Sequence, residues 1–221
     1  MNDHFEFDFA LTTYCQARCR SCVRTDLDTG EPAEWLKPKH MDPDFFKKCV
    51  ENLKGLNIDA IEFCGELGDP MMHPQIKYFI DYALTVCNEV VISTNGGLRT
   101  PDFYIDIAAI NINNRLRKSP ARVTINWGID GVTHNINDMY RTGVNFNRAM
   151  DNMLSWFSNG GTGQWMFLVF EWNVHQIRKA KRIAEENNIK IDFKINNRQW
   201  GKIRPEQIHE VEDILKDIGH A

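Results

Sequence analysis

Three cysteines crowd into "YCQARCRSC", residues 14–22, at spacings of four and three. Thiolates are soft donors that suit zinc or an iron–sulfur cluster. Structural zinc usually completes four protein ligands, yet no histidine and no second close cysteine pair stands near Cys15, Cys19 and Cys22. Cys49, Cys64 and Cys87 fall singly on predicted helices and a strand end, where a buried, inert thiol is the ordinary expectation. A cubic iron–sulfur cluster held by only three thiolates would leave one iron open to a non-protein ligand. The shortfall in the motif is therefore also a chemical opportunity.

The elements that must position these thiols are legible in the periodicity. "FEFDFALT" (5–12) alternates with period two, and "AIEFC" (60–64), "EVVIS" (89–93), "VTINWGI" (123–129), "WMFLVF" (165–170) and "KIDFKI" (190–195) are short β-prone runs. Helical patterns separate most of them. Asp42-Pro43 suits a cap and first turn for a helix over 43–54, Pro74 and Pro101 would begin two more, and 146–158 and 174–187 carry helical spacing. Ile208, Val211, Leu215 and Ile218, after Pro205, line one helical face. Six strands alternating with helices predict an α/β fold with a parallel sheet and right-handed crossovers. A closed barrel needs eight such units over ~250 residues, so six predict a partial, open (β/α)6 TIM-like barrel. The expected organisation is a single domain over 1–221, with a core at about 5–195 and a loop and helix over 196–221. The longest expected loop is 25–40, and "SNGGTG" (158–163) is the plainest turn.

Composition narrows the function classes. A hydrophobic share of 43% with 25% charged residues argues against wholesale disorder. A formal charge of -4 gives no support to nucleic-acid binding through net positive charge. The start, "MNDHFEFDFA", lacks the basic residues and long apolar run of a signal peptide, and "WMFLVF" is too short to span a bilayer, so a cytoplasmic, membrane-free protein is expected. In a reducing compartment, ligation is a better reading of the clustered thiols than disulfides.

The CxxxCxxC motif just after the first strand resembles that of the radical S-adenosylmethionine superfamily, and further matches extend over most of the chain. "CGELGDPMMHP" (64–74) looks like the family's glycine-rich loop after the second strand. Two alignments compete there, Glu66 after Gly65 or Asp69 between Gly68 and Pro70; Asp69 is preferred because "GDPMMHP" keeps the downstream pattern, Glu66 stays a candidate, and the carboxylate would pair with the cofactor's ammonium group. "STNGG" (93–97) is similar to the family's third-strand segment, where Ser93, Thr94 and Asn95 would bind the cofactor's carboxylate or ribose. "GIDGVTHNINDMYRTGVNFNRAMDNM" (128–153) resembles the peptide-modifying and molybdopterin-forming branch. There Arg141 is the natural carboxylate clamp and Asp130 orients the loop or contacts ribose. Asn173, in "FLVFEWNVHQ", is read as a helix cap that also reaches the cofactor. His134 and His175 are given no catalytic role, since a lone histidine near a helix start is more often structural or exposed. Two departures stand out. Ser21 replaces a commonly aromatic residue before the third cysteine, and Gly128 replaces a small polar one.

What the resemblance implies is an enzyme with one [4Fe-4S] cluster on Cys15, Cys19 and Cys22. Reductive cleavage of S-adenosyl-L-methionine (AdoMet) would give methionine and a 5′-deoxyadenosyl radical that abstracts hydrogen from a peptide, carbohydrate or other small metabolite. A reductant such as a flavodoxin or ferredoxin is implied as partner. No cysteine follows Cys87, which argues against an auxiliary cluster of the kind seen in that branch. Arg18, Arg20 and Arg24 flank the ligands and would offset cluster charge. Arg198, Lys202 and Arg204 make the tail locally basic. Two alternatives stay open: an activase that installs a radical on a protein partner, and a non-enzymatic zinc or iron–sulfur binding module.

Overall fold

The β-prone runs become the strands of one sheet. In the computed structural model, which describes residues 4–197 and 200–219, six parallel strands lie in the order β1-β2-β3-β4-β5-β6. They are β1 Phe5–Phe9, β2 Ile58–Phe63, β3 Glu89–Thr94, β4 Arg122–Gly128, β5 Thr162–Val169 and β6 Ile191–Ile195. Sequence order equals spatial order, and β1 and β6 are left as free edges, so the sheet is an open α/β arrangement consistent with a partial TIM-like barrel. Arg198 lies outside the described residues.

The helices are α1 Pro43–Asn52, α2 Ile76–Ala83, α3 Pro101–Leu116, α4 His134–Asp138, α5 Phe146–Ser158, α6 Ile177–Glu186 and α7 Pro205–Asp217. Proline begins α1, α3 and α7, where its missing N–H has no intrahelical partner to lose. Asp42 and Asn145 cap α1 and α5 through side chains that accept from Phe45 N and Arg148 N. Pro74 does not open the second helix; α2 begins at Ile76, and a 3-10 turn over Pro70–Met72 precedes it. The fifth strand starts at Thr162, three residues before the apolar run, which shortens the expected turn.

Alternation divides the sheet cleanly. Ile61, Phe63, Val90, Ile92, Val123, Ile125, Trp127, Trp165, Phe167 and Val169 have no exposed surface and meet the helices. The opposite face carries Glu62, Val91, Ser93, Thr124, Asn126, Gln164, Met166 and Leu168, all half-buried. In a closed barrel that inner face is a packed apolar core. Here it mixes polar and apolar side chains and is half-buried.

Buried asparagines tie helices to strand ends. Asn111 on α3 donates to Val123 O at 2.8 Å and accepts from Val123 N at 2.7 Å. Asn152 on α5 donates to Gly96 O at 2.8 Å and Leu98 O at 2.9 Å. The loop after β3 is thereby held against α5, with its carbonyls satisfied away from water. Among the described residues no helix is long and apolar enough to cross a membrane.

Truncating Asn152 to alanine would leave both carbonyls without that donor. Leu98 O keeps the Tyr104 hydroxyl at 3.3 Å, so Gly96 O alone is left without a side-chain donor, and the change is expected to destabilise the protein by about 1–3 kcal/mol. Urea unfolding followed by circular dichroism would read this as a lower midpoint with an unchanged slope.

Candidate functional site

A parallel sheet collects every strand-to-helix loop at the carboxyl ends of its strands, and a cavity of about 1150 Å³ opens there. Cys15, Cys19 and Cys22 line it together with Arg20, Ser21 and Arg24 from the same loop. Gly65, Glu66, Gly68 and Asp69 contribute from the loop after β2, and Ser93, Thr94 and Asn95 from the end of β3. Asn126 and Gly128 of β4, Met166 and Leu168 of β5, and Arg141 and Tyr140 complete most of the wall. Asp130 and Asn173 do not line the cavity.

The first loop has no regular element of its own, so its shape comes from crossing the second. Gly68 sits where a Cβ would collide with Thr12 O and lie 2.7 Å from Tyr14 O. Only glycine permits that approach. Asp69 N then donates to Tyr14 O at 2.9 Å, next to the first cysteine. Arg24 is buried and donates to Leu67 O at 2.6 Å and Thr13 O at 2.8 Å, clamping the same two loops. Of the three flanking arginines, Arg18 instead makes a surface pair with Glu31 at 2.5 Å, and Arg20 lies over the Trp200 ring at 5.7 Å. The Trp200 ring lines the cavity.

The two candidate carboxylates differ in occupancy. Asp69 is 3% exposed, and both of its oxygens are engaged. Oδ1 accepts from Met71 N and Oδ2 from Asn95 N, both at 2.9 Å, while Thr94 Oγ1 lies 2.9 Å from each oxygen. Burial pushes the Asp69 carboxyl up, against the pull of those donors. Glu66 is exposed at the cavity rim. Asp69 thus orders the loops after β2 and β3, and Glu66 has the freer side chain.

Arg141 and Asp130 form a second rigid unit. Arg141 Nε donates to Asp130 Oδ2 at 2.6 Å, and Leu168 N donates to Asp130 Oδ1 at 2.8 Å. The guanidinium lies over Gly128, where a Cβ would approach its terminal nitrogen to 2.9 Å. Gly128, a departure from the resemblance, makes room for Arg141. Asn173 is fully buried and donates to Asp130 O at 2.9 Å and Leu168 O at 2.8 Å, while its own oxygen accepts from Phe170 N. It makes no side-chain cap to the turn that follows, so its place is behind the site. Isolated Asn and Gly letters carry no signal of this wiring.

Cys22 N donates to Cys19 O at 2.9 Å, turning the motif so that all three thiols reach the cavity. Cys15 Sγ accepts from Ala17 N at 3.4 Å and Asn95 Nδ2 at 3.7 Å. Burial pushes the Cys15 thiol up to about 12, with the nearby Asp69 charge adding to it. Burial also raises Cys19, against the opposing charge of Arg141. Such thiols ionise when a metal centre takes the place of the proton. Among the described residues no three His, Cys, Asp or Glu side chains gather closely enough to hold a metal ion. A single ion needs its donors at one point, about 2.3 Å away for zinc and sulfur. Three thiols lining one roomy cavity fit the donor chemistry of an iron–sulfur cluster.

No family model and no curated protein matches the sequence. Among solved structures the chain is similar to native anSMEcpe with bound AdoMet, at 11% identity and a TM-score of 0.72, over 97% of this chain and 60% of that one. It is similar to native anSMEcpe with bound AdoMet and Cp18Cys peptide, at 11% identity and a TM-score of 0.69, over 97% and 58%. Methylornithine synthase (PylB) follows at 13% identity and a TM-score of 0.54, over 91% and 56%. The chain spans less than two thirds of each of these chains. At such identities the likeness is one of fold: nearly the whole chain adopts the fold found in part of AdoMet-bound anSMEcpe.

Proposed function

We propose that this protein is a radical AdoMet enzyme in which Cys15, Cys19 and Cys22 hold one [4Fe-4S] cluster. A single observation carries the reading: the three thiols, Glu66, Ser93, Asn95 and Arg141, scattered over 127 positions of sequence, line one cavity at the carboxyl ends of the strands. The AdoMet-bound structures of similar fold support it. When bound, the cluster would supply the electron that divides AdoMet into methionine and a 5′-deoxyadenosyl radical. The chain's own work is positioning and shielding.

Glu66 would take the AdoMet ammonium group, since Asp69 is already engaged by three donors. Arg141, held through Nε by Asp130 and hydrogen-bonded to Cys19, would turn its terminal nitrogens to a carboxylate. Thr94 is bound to Asp69, and Asn95 is held by Gln16, Gly97 N and Asp69, so the polar contact from β3 would fall to Ser93. Met166 and Leu168 supply an apolar strip beside the thiols that excludes water from the reacting carbon. Asp130 and Asn173 act through Arg141 and the β5 end as positioning residues. The reductant would be a flavodoxin or ferredoxin.

Anaerobic reconstitution with iron and sulfide, followed by dithionite and AdoMet, tests the reading. The wild type is expected to release 5′-deoxyadenosine and methionine; a binding module would release neither. Cys19→Ala is expected to lose bound iron and 5′-deoxyadenosine together, and full turnover by that variant would overturn the ligand assignment. Arg141→Lys replaces a two-pronged donor by a point charge, and AdoMet affinity measured by calorimetry on the reconstituted protein is expected to fall about tenfold.

A further inference from the structure

Aromatic surface reaches the cavity in one place. Among the described residues that line it, only Tyr140 and Trp200 carry rings. Their centroids are 6.1 Å apart and their planes 26° from parallel, so they present adjoining faces. Tyr140 is buried and Trp200 half-buried.

Trp200 stands between β6 and α7, on a segment whose path is fixed by the end of β5. Asn196, buried, donates from Nδ2 to Trp200 O at 2.9 Å, and its own N–H donates to Val169 O at 2.9 Å. Glu171 N donates to Gly201 O at 3.3 Å. Gly201 has a φ of 66°, and a Cβ there would collide with the Trp172 ring, so glycine alone lets the chain lie against Trp172. Trp172 and Phe170 back the Trp200 ring at centroid distances of 4.6 and 6.4 Å, inclined by 59° and 64°. Such edge contacts hold a ring in one orientation.

The same two rings adjoin the cysteine motif. Arg20, between Cys19 and Cys22 in sequence, lies over Trp200 at 5.7 Å, and the Arg141 guanidinium lies over Tyr140 at 5.2 Å. Arg141 is in turn hydrogen-bonded to Cys19. Ser21 brings no ring to this loop. The aromatic surface beside the thiols therefore comes from Tyr140 and from the other end of the chain.

We propose that Trp200, with Tyr140 beside it, is the platform on which the adenine of AdoMet stacks. The inference rests on the AdoMet reading of the cavity and names the residue by which this chain holds the purine. Adenine is the one planar aromatic part of AdoMet, and a purine gains more on an indole than on an aliphatic surface. Glu66 and Ser93 belong to the ends of β2 and β3, whereas Trp200 follows β6, so the methionyl and adenine ends would be held toward opposite sides of the cavity. Arg20 is exposed, so its guanidinium can leave the indole to the purine without losing a buried place.

Calorimetry on the reconstituted protein tests this with AdoMet and with S-methylmethionine, which keeps the sulfonium, ammonium and carboxylate but has no purine. Trp200→Leu is expected to weaken AdoMet about tenfold or more, and to leave S-methylmethionine, measured by competition, within about twofold of the wild type. Trp200→Phe keeps a flat ring and is expected to recover most of the AdoMet affinity. Circular dichroism and bound iron are checked for each variant, and Trp200→Met replaces Trp200→Leu if the latter does not fold. An AdoMet affinity unchanged by Trp200→Leu, equal losses for AdoMet and S-methylmethionine, or a Trp200→Phe variant as weak as Trp200→Leu would each overturn the proposal. Where S-methylmethionine is too weak to compete, the Leu and Phe variants decide on AdoMet alone. A wild type that binds no AdoMet would overturn the reading of the cavity and this inference with it. A wild type that binds AdoMet but releases no 5′-deoxyadenosine under dithionite would overturn the radical reading alone.

Discussion

The buried carboxylate of Asp69 holds the loop after β2 to the end of β3 by accepting from Met71 N, Asn95 N and Thr94 Oγ1. Its own backbone N–H reaches Tyr14 O, so the same residue carries the order of those loops into the cysteine motif. It shares the task of fixing the thiol-bearing segment, which has no helix or strand of its own, with Arg24 and with the bond from Arg18 N to Thr142 O. The constraint also explains Gly68, since any side chain there would push Asp69 away from Tyr14. Asp130 does the same work on the other side of the cavity, joining Arg141 to β5.

A general physical demand lies beneath both arrangements. Loops that leave a sheet carry backbone groups that cannot be left dry and unpaired. This chain meets the demand with buried acids and asparagines at the strand ends instead of with longer helices. Asn152 and Asn173 satisfy four carbonyls between them, and each lies directly behind a segment that faces the cavity. The rigidity that places the thiols and Arg141 therefore comes from polar contacts, and the apolar core is kept to the helix side of the sheet.

Much of this was legible in the letters. Short β-prone runs, the first of them with period two, located all six strands, and prolines located the starts of α1, α3 and α7 while Pro74 fell short of α2, because both signals are local. The cysteine spacing and its place after the first strand pointed to the cavity for the same reason. Asn173 was not legible: an asparagine before a helix reads as a cap, whereas its side chain turns back to Asp130 O and Leu168 O through contacts distant in sequence. Asp69 and Glu66 could not be separated by spacing, because what separates them is the set of donors supplied from β3. The early start of β5 was hidden by Gly160, Gly161 and Gly163, which read as a turn although Gly163 lies in the strand. Five-residue α4 is too short to carry a periodic signal.

In the proposed site three thiolates would leave one iron of the cluster open, and AdoMet would occupy it. Mössbauer spectroscopy of the protein reconstituted with iron-57, recorded before and after AdoMet is added, tests it most directly. One iron site alone is expected to change its isomer shift and quadrupole splitting when AdoMet binds. A spectrum unaltered by saturating AdoMet, or one that shows only mononuclear tetrahedral sulfur-bound iron, would contradict it.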